Sequence, residues 1–289
     1  MAPPSDNIPC PPGYPVLGNL LAMNDDVLIR PLEKFADEHG SIFRLRFLGR
    51  QMLVVANHEL VEEMCDEKRF WKAAGEALSA LSKEGETRFG LFVAPSEEHN
   101  DWQQAHRILI PAFGPLPIQD MYPEMHDIAS QLVLKWARLG PSYKIPVTLD
   151  FTRLTLDTIA LCSMDHRFNS FYQEEMNPFV EAMNVLLTAT NDRLKPSGVL
   201  QRMMPWDKTV ERVEEAREFM GSIAKELIQH RRANPTDKRD LLNAMIHGKD
   251  PKTGKAMDDE LIVAEMVTFL VAGHETTSGL LSKASYPFQ

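Results

Sequence analysis

A mainly α-helical fold with one small β-hairpin near the amino terminus is what this 289-residue sequence predicts. Three observations carry that expectation. From Met121 onward, apolar residues recur at i, i+3 and i+4 through several long stretches, the period of helices that bury one face. Only one pair of short apolar runs, around Gly49 and Arg50, has the period of paired strands. Glycine, proline and capping residues fall at the ends of the periodic stretches.

Element by element, the opening is rich in proline (Pro3, Pro4, Pro9, Pro11, Pro12, Pro15) and is expected to be extended, because proline fixes φ and lacks an N–H. Pro31 to Glu38 reads as a short helix closed by Gly40. Ile42 to Phe47 and Met52 to Ala56 supply the hairpin strands. Asn57 is placed to cap a helix ending near Cys65, with Glu59 in its first turn, where the helix dipole favours negative charge. Met121, Met125, Ile128, Ala129, Leu132, Trp136 and Leu139 form a helical stripe stopped by Gly140 and Pro141. Further helices are expected over Leu149 to Met164, Pro178 to Thr190, Val210 to near Arg232, and Leu241 to His247 with Gly248 as its stop. Asp250-Pro251-Lys252-Thr253-Gly254 is turn chemistry, and Asp258 or Asp259 caps the last helix. No internal repeat and no linker between domains is visible.

With 44% hydrophobic and 25% charged residues, the chain is globular in composition and can bury a sizeable core, as one large domain or two small ones. Lys and Arg total 31 against 41 Asp and Glu, a net charge of −10 that argues against a general nucleic-acid binder. Cys10, Cys65 and Cys162 are few, odd in number and far apart, which suits a reducing compartment better than a disulfide framework. No run approaches the roughly 18 apolar residues of a membrane-spanning helix. Met1 to Asp6 has neither the basic start nor the apolar run of a signal peptide. A soluble cytoplasmic chain without a transmembrane anchor is the expectation.

Two motifs fail on inspection. His274-Glu275-Thr276-Thr277-Ser278 begins like the zinc-protease helix H-E-x-x-H, but Ser278 stands where the second histidine must be, and one imidazole does not make a zinc site. Gly248 to Ala256 resembles a phosphate-binding loop, yet five residues separate its glycines instead of four and Ala256 replaces the magnesium-binding hydroxyl. It reads as a solvated turn. One segment holds. In Ala272-Gly273-His274-Glu275-Thr276-Thr277-Ser278 an acid and two threonines interrupt an apolar helix. A threonine hydroxyl bonds the carbonyl one turn back and loosens the helix. Ala272 and Thr276, four apart, share a face: a small residue that a flat group could approach, with a hydroxyl above it.

This segment resembles the oxygen-binding helix of the cytochromes P450, and the resemblance covers nearly the whole chain in order. Pro11-Pro12-Gly13-Tyr14-Pro15-Val16-Leu17-Gly18-Asn19 is similar to the family's proline-rich leading segment. Trp102-Gln103-Gln104-Ala105-His106-Arg107, then Pro111-Ala112-Phe113, resembles the helix that contacts the heme propionates. Thr152 to Ile159 and His166 to Phe171 are similar to the self-sufficient fatty-acid hydroxylases, in which a P450 domain is fused to its own flavin reductase. The resemblance implies an incomplete P450 fold over residues 1–282, with 283–289 a divergent tail. It implies roles as well. Thr276 would hydrogen-bond dioxygen and the water that delivers protons, and Glu275 would relay them. Ala272 would admit the heme plane. Trp102 and His106 would donate to a heme propionate, although many members carry arginine at the position of His106. Phe92 would project over the heme and gate the substrate. Arg50 would pair with a fatty-acid carboxylate, with half of that clamp missing because Val54 replaces the family's tyrosine. Read from residue type alone, Phe92 is also an ordinary core aromatic, His106 a surface histidine and Arg50 a solvated turn residue.

The axial cysteine loop, F-x-x-G-x-R-x-C-x-G, and the E-x-x-R pair before it do not follow Thr276. Cys10, Cys65 and Cys162 do not fit its pattern, so no metal ligand is assigned. The resemblance therefore implies a monooxygenase acting on a fatty acid or lipid-like molecule with heme, O2 and NADPH-derived electrons. FAD and FMN would enter only through a reductase portion, which this sequence does not contain. The chain alone is expected to be inactive and marginally folded. The competing expectation is a non-catalytic truncated product that binds lipid or a partner, or has no function.

Overall fold

A computed structural model describes residues 7–285 apart from 24, 26, 28, 67, 75–87, 97–98, 141 and 194–207. Pro3, Pro4, Pro141 and the stretch after Ser285 lie outside the described residues. The chain clusters into two compact units, residues 1–80 with 187–211, and residues 81–186 with 212–289. Two of its three boundaries fall inside continuous helices rather than in linkers, so no sequence signal marks them.

The first unit holds α1 (Ile29–His39), strands β1 (Ile42–Phe47) and β2 (Arg50–Val55), and α2 (His58–Met64). The strands pair antiparallel with Phe47 opposite Arg50. Leu48 and Gly49 turn the chain with φ of 48° and 84°. Positive φ at both central residues matches the twist of the strands, at a steric cost for Leu48. Phe43 and Leu45 are fully buried against Leu32, Phe35 and Val54. The proline-rich segment expected to be extended is not helical among its described residues and bonds the outer edge of β1, but Pro15 to Leu17 turn between the bridged Tyr14 and Gly18 instead of running extended. Arg44 N donates to Pro9 O at 2.7 Å and Asn19 N to Arg46 O at 2.7 Å. The Asn19 amide ties both sides together, donating to the carbonyls of Pro11 and Pro12 and accepting from Arg46 N. Asn57 Oδ1 caps α2, accepting from Leu60 N.

The second unit holds α3 (Asn100–Leu109), α4 (Pro115–Asp120), α5 (Tyr122–Arg138), α6 (Val147–Met164), most of α7 (Pro178–Arg193), most of α8 (Lys208–Ala233), α9 (Leu241–His247) and α10 (Asp259–Ser285). α10 pairs most extensively with α6. A Cβ on Gly273 would lie 2.6 Å from Ile159 Cγ1, so the two backbones approach only because residue 273 is glycine. Thr155 Oγ1 donates to the His274 carbonyl at 3.0 Å across the same interface. α5 joins α6 through Asp150, buried, which accepts from Lys135 Nζ at 2.5 Å and Trp136 Nε1 at 2.7 Å. Of the two candidate caps for the last helix, Asp258 serves, its Oδ1 accepting from Leu261 N at 2.9 Å. α10 continues to Ser285, past residue 282. Among the described residues no helix is long and apolar enough to cross a membrane.

Candidate active site

α10 has two faces. Met266, Leu270, His274 and Ser278 are buried, and Gly273 meets Ile159 beside them. Glu265, Phe269, Ala272 and Thr276, at i, i+4, i+7 and i+11, fall on another stripe. Along that stripe the helix goes from covered to open. Glu265 is fully buried, whereas Ala272, Glu275 and Thr276 are exposed. Thr276 Oγ1 donates to Ala272 O at 2.9 Å, the back-bond anticipated from sequence. Glu275 leaves 51% of its side chain in solvent, with Oε2 4.0 Å from His274 Nε2.

What covers the first part of the stripe is the segment 88–92, fastened at successive residues. Arg88 donates to Asp101 of α3 at 2.7 Å and also pairs with Asp258. Phe89 N donates to Asp101 Oδ2 at 3.1 Å, and Leu91 N to Glu265 Oε1 at 2.9 Å. Between them Gly90 lies flat on α10: a Cβ there would stand 2.4 Å from Thr268 Oγ1 and 2.8 Å from Ala264 O. Phe92 follows, 46% exposed, two residues from the backbone that rests one turn before Ala272.

α3 adjoins the same region, its Asp101 holding the 88–92 segment. Trp102 and His106, four apart and half-buried, stack with ring centroids 4.6 Å apart and 12° between planes. The short helical turn after α3 brings Phe113 to Phe269 of α10, at 5.6 Å. The second unit therefore gathers Phe92, Trp102, His106, Ala272, Glu275 and Thr276 on connected elements. Arg50 belongs to the first unit, exposed at the first position of β2 rather than within the turn.

The fastening residues Arg88, Asp101 and Glu265 were not singled out from sequence. One signal existed: Glu265 interrupts the apolar run from Leu261 to Val267, where an acid is retained only with a partner. The solvated reading of the 248–256 turn also needs correction. Residues 251–256 are exposed, but Asp250 is 1% exposed, because Arg107 of α3 reaches in to pair with it.

The cytochrome P450 family model matches residues 8–284, and the chain belongs to that family. Several relatives are described as P450 and reductase in one protein. The chain is 51% identical over 279 residues to the bifunctional cytochrome P450/NADPH–P450 reductase of Aspergillus oryzae, covering 96% of this chain and 25% of that protein. It is 47% identical to the protein of the same description from Fusarium oxysporum, and 46% identical to the self-sufficient cytochrome P450 monooxygenase CYP505E3 of Phanerodontia chrysosporium. The chain spans about a quarter of the length of these relatives, corresponding to their amino-terminal P450 portion.

The family implies heme, and the donor chemistry here suits one edge of it. Trp102 and His106 each offer a ring N–H, and among the described residues neither has a hydrogen-bond partner, so both are available to an anionic propionate. The cysteines suit the iron less well. Cys65 is exposed and Cys10 half-buried. Cys162 is buried, its thiol pushed up to about 11 by burial, which opposes the thiolate an iron ligand requires.

Proposed function

We propose that this chain supplies the oxygen-handling face of a heme-thiolate monooxygenase that hydroxylates fatty acids or related lipids. Electrons from NADPH would reach it through the FAD and FMN of a fused or separate reductase. The observation that carries this reading is the single stripe of α10 on which Glu265, beneath the 88–92 segment, is followed by exposed Ala272 and Thr276. A heme bound against Ala272 supplies dioxygen activation. Ala272, with only a methyl group, leaves room for it. The Thr276 hydroxyl donates to the Ala272 carbonyl and keeps lone pairs to accept from a water, so it holds a proton donor at that surface. Glu275, half in solvent, takes protons from bulk water and passes them toward Thr276. Phe92 bars water and packs on an alkyl chain. Arg50 forks to the two oxygens of a carboxylate.

Mixing the chain with hemin and a separately expressed carboxyl-terminal P450 segment of the Aspergillus oryzae relative tests the reading. A thiolate-type reduced-CO band together with fatty-acid hydroxylation is expected. Association of the halves without either signal overturns it. In that assembly Arg50→Ala should raise KM for a fatty acid about tenfold and leave KM for its methyl ester unchanged, since the charged pair is what it removes. Alone, the 289 residues should give no thiolate-type band, because none of their three cysteines lies in the pattern of the axial-ligand loop.

A further inference from the structure

The turn after α9, dismissed from sequence as a failed phosphate loop, holds a fully buried carboxylate. Asp250 accepts from Arg107 Nε at 2.6 Å and Nη2 at 2.8 Å, from Thr253 Oγ1 at 2.6 Å and from Lys252 N at 3.0 Å. The guanidinium is met by both carboxylate oxygens, the fork geometry that fixes orientation as well as distance. Two further contacts bind the same flank of α3. Gln104 Nε2 donates to Ala256 O at 2.8 Å. A Cβ on Gly248 would lie 2.6 Å from Ile108 Cγ2, so Ile108 sits directly on that glycine. Gln104, Arg107 and Ile108 are one side of α3, at i, i+3 and i+4; Trp102 and His106 are on another.

Resting on the propionate reading above, we infer that Asp250, by catching Arg107, is a positioning residue for the Trp102–His106 donor pair. A helix held along one side only is free to roll about its axis. A roll of about 20° carries ring atoms about 6 Å from that axis through about 2 Å, enough to break a hydrogen bond. Asp101 restrains the first turn of α3. Among the described residues, the Asp250 grip is the one charged, two-point contact on the turn that carries His106. Mutual hydrogen bonding keeps both partners ionised: it lowers the Asp250 carboxyl and raises the Arg107 guanidinium.

Two readouts test this in the 289-residue chain. The first needs no heme: the His106 ring protons, over the face of Trp102, should resonate upfield in the proton NMR spectrum. Asp250→Asn should move them toward the solvent-exposed position, and Arg107→Lys, keeping the charge without the fork, should move them part of the way. The second is the ratio of dissociation constants for hemin dimethyl ester and hemin. It should be at least about tenfold in the parent chain, near unity in His106→Phe, and reduced to about two- or threefold in Asp250→Asn. Thermal unfolding of each variant separates loss of position from loss of fold. An Asp250→Asn protein that melts lower yet keeps both the upfield shift and the discrimination makes Asp250 a purely structural clamp and overturns the inference. A ratio near unity in the parent chain overturns the propionate reading and the inference with it. Discrimination lost in His106→Phe but intact in Asp250→Asn overturns the inference alone.

Discussion

Asp150, Asp157, Asp240 and Asp250 are nearly inaccessible to solvent, and each is met by donors from another part of the chain. A buried carboxylate of this kind is more informative about packing than any apolar neighbour, because its loss strands a partner. Asp150→Ala removes the carboxylate shared by the Lys135 ammonium, the Trp136 N–H and the nearly buried Arg153 guanidinium at 3.5 Å, and should cost about 3–5 kcal/mol, read as a shift in the urea midpoint. His274 predicts a pH dependence. Burial outweighs its bond to the Leu270 carbonyl and the nearby Glu275, and lowers its pKa from 6.5. As pH falls from about 6.5, the unfolded chain binds a proton that the folded chain resists. Stability present above that pH is therefore lost progressively toward the depressed folded value. His166, lowered by burial and by His230, slopes the same way. Urea midpoints compared between pH 7 and pH 5.5 should thus show a slope that His274→Gln reduces without abolishing. Asp157, raised by burial, works in the opposite sense at lower pH: its contribution is present in acid and lost as pH rises through its folded value.

Helices and strands with a strong period were legible before any coordinates. The stripe from Met121 to Leu139 became α5, and the runs around Gly49 became β1 and β2. α4 was not legible: six residues with two prolines carry too little period to register, and proline in the first turn is tolerated where its missing N–H has no partner to lose. The α6–α10 interface depends on one small residue, and that dependence is testable. Gly273→Ala places a methyl group 2.6 Å from Ile159 Cγ1 and should destabilise by about 1–3 kcal/mol. A second change, Ile159→Val, removes Cδ1 and should recover part of the loss, a coupling read from the double-mutant cycle of thermal midpoints. Gly18→Ala should be harsher. Its Cβ would fall 2.1 Å from the Arg46 carbonyl oxygen in a backbone of φ +61°, and no side chain is available to yield.

For the whole molecule, the motif was legible and its setting was not. Ala272 to Ser278 is a local string, readable because an acid and two threonines conflict with an apolar helix. The 88–92 segment and the Arg107 grip are long-range: Leu91 meets Glu265 and Arg107 meets Asp250 across 174 and 143 positions of sequence. No periodicity encodes such pairings. Leu280, Leu116, Tyr172 and Trp71 are each more than two-thirds exposed. A quieter feature bears on how the protein behaves in concentrated solution. The segment laid along β1 carries Pro9, Pro11, Pro12 and Pro15, and a proline cannot donate to a neighbouring strand. On that flank the ladder ends in residues with few donors left to offer, so a second molecule finds no template there on which fibrils could grow.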